Sequence, residues 1–286
     1  MTMIVPEPET TSHDNFGFPA GYFVIRSLSS GRLLDVSEDL SDDGTEIILW
    51  PEKEKSLVET FRGPESNNQV FFIDVYGALC SRDSGHAIDI EGVQVARRVS
   101  WYANTRYTDR CTSPDGRLVL RHRRPISKPY PNAYSHPLPQ FHFSAQSGEL
   151  TATFETNPEY PAHPTNSQWR VKSYHVTAMP MRKPRTFLDD ASEALTSALR
   201  SPLSLFSGAA RPDTSEHVNE AFDLRPDELL EHDRGEAAEV DDSPEAIRHV
   251  RVIGMTEEEA RGLGEKARNR RRWSVQSLRR TSARTA

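Results

Sequence analysis

Cysteine is nearly absent: Cys80 and Cys111 are the only two in 286 residues. Two thiols do not make the disulfide framework of a small secreted domain. Long hydrophobic runs are missing as well, and no stretch approaches the ~20 apolar residues that a membrane-spanning helix requires. Residues 1–15 carry Glu7, Glu9 and Asp14, without the basic and apolar regions of a signal peptide. These absences predict a cytoplasmic protein with no membrane span, the nucleus being left open. Positive charge is not in excess either. A net charge of −7 gives no general reason to expect nucleic acid as a partner. The signatures of catalysis are also lacking: there is no P-loop, dinucleotide fingerprint or nucleophile elbow, and no identifiable acid/base pair of carboxylates. His122, His136, His142, His163 and His175 are scattered without metal-ligand spacing. No enzymatic activity, cofactor or metal is therefore expected.

Apolar residues make up 36% of the chain and proline numbers 20, with a mean hydropathy of −0.66. A packed globular protein has roughly 45–50% apolar residues counted with glycine, so part of this chain should lie outside a core. Up to about Tyr174, short hydrophobic runs alternate with Gly, Asp, Asn and Pro, the pattern of an all-β domain. The clearest are Tyr22-Phe23-Val24-Ile25, Ile47-Ile48-Leu49-Trp50, Val70-Phe71-Phe72-Ile73, Leu118-Val119-Leu120 and Phe141-His142-Phe143. No amphipathic helix longer than two turns separates them, which excludes a βαβ architecture.

Beyond Val176 the character changes. Phe187 to Leu199 has helical spacing and stops at Pro202. An acidic stretch runs from Asp227 to Glu245 and a basic one from Lys266 to Arg284. Thr256 and Glu259 fit a capping box, which predicts a helix over 257–272. With few apolar groups to offset ordering entropy, mostly disorder is expected. Arg271-Arg272-Trp273-Ser274 and Arg279-Arg280-Thr281-Ser282 have the form of basophilic kinase sites, and a protein partner for this extension is a further expectation. The division is thus a disordered N-terminus over 1–15, a compact domain over 16–176, and a flexible charged extension over 177–286.

A small grammar repeats inside the compact part. Gly31-Arg32-Leu33-Leu34-Asp35-Val36 and Gly85-His86-Ala87-Ile88-Asp89-Ile90 place an aspartate four residues after a glycine; Gly148-Glu149-Leu150-Thr151-Ala152 keeps the glycine without the acid. Asp43-Gly44 leads in six residues to Trp50, and Asp115-Gly116 in six to His122. Closing elements follow at Asn68-Gln69-Val70-Phe71, Leu138-Pro139-Gln140-Phe141 and Asn166-Ser167-Gln168-Trp169. The spacing is uneven: 70 residues separate Phe71 from Phe141, and 28 separate Phe141 from Trp169. An insertion at 93–114 accounts for most of the excess, and the residues fit a functional loop and a gene-model error equally.

In the order and threefold recurrence of these elements, residues 21–174 resemble the ricin B-type β-trefoil lectins and carbohydrate-binding module family 13, including fungal members. Leu34-Asp35-Val36, Asp43-Gly44-Thr45, Leu49-Trp50-Pro51 and Asn68-Gln69-Val70-Phe71 carry the likeness. The resemblance implies an all-β trefoil of three units closing one barrel, with a largely disordered, partly helical C-terminal tail. It also implies a non-catalytic lectin that binds glycans or glycoconjugates through a shallow pocket of the first unit, formed by Asp35, Trp50, Asn68 and Gln69. A carboxylate and amides pair with vicinal hydroxyls, and an aromatic face covers the apolar side of a sugar ring. Ile48 departs from the family pattern, in which a polar side chain precedes the tryptophan by two. Asp89 and His122 form a second, weaker candidate without the aromatic platform. The residues alone leave two alternatives open. Asp35, Trp50 and Asn68 serve only turn and core, or the trefoil is a protein-interaction module of scaffold or protease-inhibitor type, acting through 93–114 and the tail.

Overall fold

The computed structural model describes residues 15–91, 94–95, 116–122, 136–158, 168–182 and 240–280. Alternating and β-branched runs form twelve strands that fall into three units of four. The first unit is β1 (Phe23–Ser27), β2 (Leu33–Val36), β3 (Ile47–Trp50) and β4 (Phe71–Ile73). The second is β5 (Leu79–Ser81), β6 (Ala87–Glu91), β8 (Arg117–Arg121) and β9 (Gln140–Ser144), with the short β7 (Gln94–Val95) between its inner strands. The third is β10 (Glu149–Thr153), β11 (Ser173–Met179), β14 (His249–Met255) and β15 (Trp273–Ser277). Its inner strands are separated by an insertion whose ends pair as β12 (Met181–Arg182) and β13 (Val240–Asp241).

The outer strands of each unit close a barrel. β15 pairs along its length with β1, β1 with β4, β4 with β5, and β9 with β10. Phe141 N–H donates to Gly77 O at 2.8 Å and Trp273 N–H to Gly148 O at 2.6 Å, linking β9 to β5 and β15 to β10. Gly21, Gly77 and Gly148, two residues before the core residues Phe23, Leu79 and Leu150 that open the first strands, hold left-handed φ of 82°, 84° and 72°, which favours glycine. Closure pairs the outer strands of the barrel with one another, which covers edges that would otherwise template aggregation.

The inner strands form hairpins β2–β3, β6–β8 and β11–β14. The three meet in a ring of equivalent bonds: Leu49 N–H to Arg248 O at 2.7 Å, Leu120 N–H to Thr45 O at 2.8 Å, and Val252 N–H to Gly116 O at 2.8 Å. One core serves all three units. It takes Phe23, Leu79 and Leu150 from the first strands, Leu34, Ile88 and Val176 from the second, Leu49, Leu120 and Val252 from the third, and Phe71, Phe141 and Trp273 from the fourth. A single unit has no way to bury such a face alone, and three together do. The architecture is the β-trefoil that the sequence resembles.

The boundary expected at 176 is overturned. The third unit is completed by β14 and β15, whose Val250, Val252 and Trp273 are buried in the common core. The closing aromatic is Trp273 in place of Trp169, which sits on a 3-10 turn over Gln168–Val171. Gly148 likewise starts a first strand and is no counterpart of Gly31 and Gly85. The helix expected over 257–272 is two short ones, α1 (Glu257–Arg261) and α2 (Glu265–Arg270). Thr256 and Glu259 do form the capping box, and Leu263 and Ala267 pack on Ile253 and Met255. Residues 1–14, the helix expected over 187–199, the acidic residues up to Glu239, Cys111, and 93–114 apart from β7 lie outside the described residues. Cys80 is buried and forms no disulfide among the described residues. Among the described residues no helix is long and apolar enough to cross a membrane.

Candidate functional site

Pairing register puts Asp35 opposite Ile48 and Leu33 opposite Trp50 on hairpin β2–β3. Period-two alternation then sets Asp35, Ile48 and Trp50 on one face, away from the core-facing Leu34 and Leu49. The 3-10 turn Pro64–Gln69 delivers Asn68 and Gln69 to that face just before β4. Asn68 Nδ2 donates to Asp35 Oδ1 and to Asp39 Oδ1. Gln69 Nε2 donates to Asp35 Oδ2 at 2.8 Å and to Pro51 O at 2.9 Å, while its Oε1 accepts from Lys53 N–H at 2.9 Å. Gln69 therefore ties the chain leaving Trp50 to the aspartate. The structure brings Asp35, Asn68 and Gln69 together in direct contact and leaves Trp50 beside them, 39% exposed.

Asp35 itself is only 2% exposed, with both carboxylate oxygens engaged. Burial pushes its carboxyl above the ordinary aspartate range, Gln69 and Lys53 pull it back, and Asp39 adds to the rise. The acid that faces solvent is Asp39, whose side chain is 59% exposed and whose carboxylate meets Lys53 Nζ at 2.9 Å. Glu38 and Asp39 both have φ of 56°, a left-handed backbone that non-glycine residues adopt at a cost. The bonds from Asn68 and Lys53 hold Asp39 there. Sequence reasoning passed over Asp39 and Lys53 because neither lies in a motif; the signal available was the pair of acids Glu38-Asp39, three and four residues past Asp35.

The second unit is arranged differently. Asp89 is buried and accepts from Arg121 Nε at 3.2 Å and from its neighbour Ile90 N–H at 2.8 Å, with His136 Nε2 at 2.9 Å. His122 is not its partner. Its Nδ1 lies 2.7 Å from Asp43 Oδ1 in the first unit, and its ring is 3.6 Å from that of His86. The residue equivalent to Trp50 is Arg121, opposite Ala87 as Trp50 is opposite Leu33. Counting six residues from Asp-Gly fails because one residue fewer separates Gly116 from Leu120 than Gly44 from Leu49, and a one-residue slip turns a side chain to the other face. In the third unit Thr177 stands where the aspartates stand, and buried Arg270 and Arg271 stand where Asn68 and Gln69 do. Only the first unit, among the described residues, joins an acid, an exposed aromatic ring and two amides.

Two hollows of about 460 and 470 Å³ lie elsewhere, one lined by Phe154, Trp169 and Tyr174, the other by Phe16, His142 and Phe143. Neither holds a residue of the first-unit set. Among the described residues no group of three His, Cys, Asp or Glu is placed to hold a metal ion.

No family model and no curated protein matches the chain. Solved structures do match. The C-half of an earthworm R-type lectin, solved with GalNAc, aligns with 90% of this chain and 98% of its own at 12% identity and a TM-score of 0.35. The β-trefoil lectin of the Vibrio vulnificus hemolysin/cytolysin, solved with N-acetyl-D-lactosamine, aligns with 90% of this chain and 95% of its own at 12% identity and a TM-score of 0.35. A ricin B-like lectin of Macrolepiota procera, solved with lactose, aligns with 55% of this chain and 74% of its own at 16% identity and a TM-score of 0.28. At these scores the fold assignment rests on the strand pairing described above.

Proposed function

We propose that the protein is a non-catalytic, lectin-like carbohydrate-binding protein that recognises glycans through the rim of its first unit. The observation that carries this reading is the network in which Asn68 and Gln69 use their amides to fix Asp35 and Asp39 next to an exposed indole. Asp35 is the buried post that orients both amides. Asp39 is the carboxylate open to sugar hydroxyls, which charge-assisted hydrogen bonds recognise well. Trp50 is the platform for the apolar face of the ring. Ile48, on the same face, narrows the polar contacts and favours modest affinity, which lectins raise by multiple engagement.

The test is a glycan array probed with the full-length chain, since a chain ending at Val176 lacks β14 and β15. Binding by the wild type should be lost in Trp50→Ala and weakened in Asp39→Asn, a substitution that keeps a residue tolerant of left-handed φ. An array on which nothing binds, or binding untouched by both substitutions, overturns the proposal.

A further inference from the structure

The insertion of the third unit returns to the barrel beside Trp50. Ala246 N–H and Ile247 N–H both donate to Ser243 O, at 3.0 and 3.1 Å, and Ile247 is fully buried in the core. Arg248 O then accepts from Leu49 N–H at 2.7 Å. This anchorage fixes the next side chain in space: the Arg248 guanidinium lies over the Trp50 indole, 5.8 Å from the ring centroid. Arg32, next to the residue paired with Trp50, is a second cation at the same edge. Partial burial and the charge of Arg248 lower the pKa of Arg32, and Glu245 opposes them.

Several arginines of the described fold are matched by acids. Arg26 meets Glu52 at 2.8 Å, Arg251 meets Glu46 at 2.8 Å, Arg121 meets Asp89 at 3.2 Å and Arg270 meets Asp242 at 3.0 Å. Arg32 and Arg248 are not: among the described residues neither makes an ion pair, and the Arg248 side chain donates only to the backbone of Glu245, at 3.2 Å. Glu52, two residues past Trp50, is occupied by Arg26.

The geometry points to an acidic glycan as the ligand of the first-unit site, one carrying a sulfate, phosphate or carboxylate that Arg248 and Arg32 clasp beside the Trp50 platform. This rests on the carbohydrate-binding reading and narrows its substrate class. A neutral sugar laid on the Arg248 side of the indole displaces the guanidinium and offers it no charged partner, whereas an anionic substituent supplies one. Guanidinium suits this task because its planar fork meets oxyanions in a bidentate way. The chain as a whole carries −7, but screening in physiological salt limits such long-range repulsion to about 8 Å. At that range the two cations, opposed in part by Glu245, favour an anion at the platform.

The test is an array of neutral glycans, each printed beside its sulfated and its carboxylated form, probed with the full-length wild type, Arg248→Ala, Arg32→Ala and Trp50→Ala. Arg261→Ala, on exposed helix α1, controls for a general change of charge, and a thermal transition confirms that each variant folds. The wild type should bind the acidic member roughly tenfold or more over its neutral parent, the effect expected of a charge-assisted pair. That preference should shrink in Arg248→Ala and in high salt and survive in Arg261→Ala, while neutral binding in Arg248→Ala holds or rises. Equal binding of acidic and neutral members, or a preference unchanged in Arg248→Ala, overturns the acidic ligand while Trp50-dependent binding keeps the first-unit site. An array with no binding, or binding indifferent to Trp50→Ala, overturns the site and the inference with it.

Discussion

Trp273 offers the sharpest perturbation of the fold, because two tryptophans compete for one role. Its side chain is 1% exposed, its Nε1–H donates to Val176 O at 2.9 Å, and its strand is paired with β1 from Phe23 to Ser27. Truncation to alanine removes the largest side chain of the core and leaves a buried carbonyl without its partner. Large-to-small changes of this kind cost about 3–5 kcal/mol. In a folded body of 150–250 residues, each kcal/mol lowers Tm by about 2–4 °C, so Trp273→Ala should melt roughly 6–20 °C below the wild type. Trp169 is only half-buried at the edge of the core, and Trp169→Ala should cost about 1–2 kcal/mol by the area it covers. Differential scanning calorimetry of both variants decides between them. A Trp273→Ala melt within 1–2 °C of the wild type, with a large fall in Trp169→Ala instead, would refute the assignment of β15 as the closing strand.

Acid should weaken the fold through Glu46. Burial pushes its carboxyl up, but His249 and Arg251 outweigh that and hold it down at about 2. The unfolded chain takes up this proton near pH 4.3. The contribution of Glu46 is therefore complete above that pH and lost as pH falls toward 2. With discount for its partial exposure, Glu46→Gln should cost about 1–2 kcal/mol at pH 7 and almost nothing near pH 2, read by urea unfolding; an equal cost at both values contradicts the ion-pair assignment. Asp35→Ala removes one acceptor from each amide, Asn68 keeping Asp39 and Gln69 keeping Pro51 O, at about 1–3 kcal/mol for each N–H left unsatisfied, and a melt unchanged from the wild type removes the network. Ser274 sits in β15 opposite Arg26, so a basophilic kinase should label it only after unfolding, and peptide mapping that finds it labelled in the native chain contradicts the strand.

The first unit was legible because its four strands lie within 51 residues, Phe23 to Ile73, and its turn and closing motifs fall at even spacing. The second unit yielded Asp89 but not its partner, since a loop shorter by one residue defeats counting. The third unit was hidden by chain length. Between β12 and β13, residues 183–239 intervene, and averaging over that charged stretch masked His249-Val250-Arg251-Val252, an alternating strand with both valines buried. Gln168-Trp169-Arg170-Val171 imitates a closing strand in its period of two, yet the chain forms a 3-10 turn there because Trp273 already occupies the core position. Asp39 and Lys53 join the network through geometry alone, Asp39 on a left-handed backbone that no spacing announces. The capping box at Thr256 and Glu259 was readable because it depends on four adjacent residues and nothing distant.

The most direct measurement is a crystal structure of the full chain with the glycan that binds best on the array. The account expects the sugar ring against Trp50, a hydroxyl within hydrogen-bond distance of Asp39, and Arg248 moved from the indole onto the ligand's anionic group. A sugar seated instead in the hollow between Phe154, Trp169 and Tyr174, with Trp50 uncovered, would contradict it.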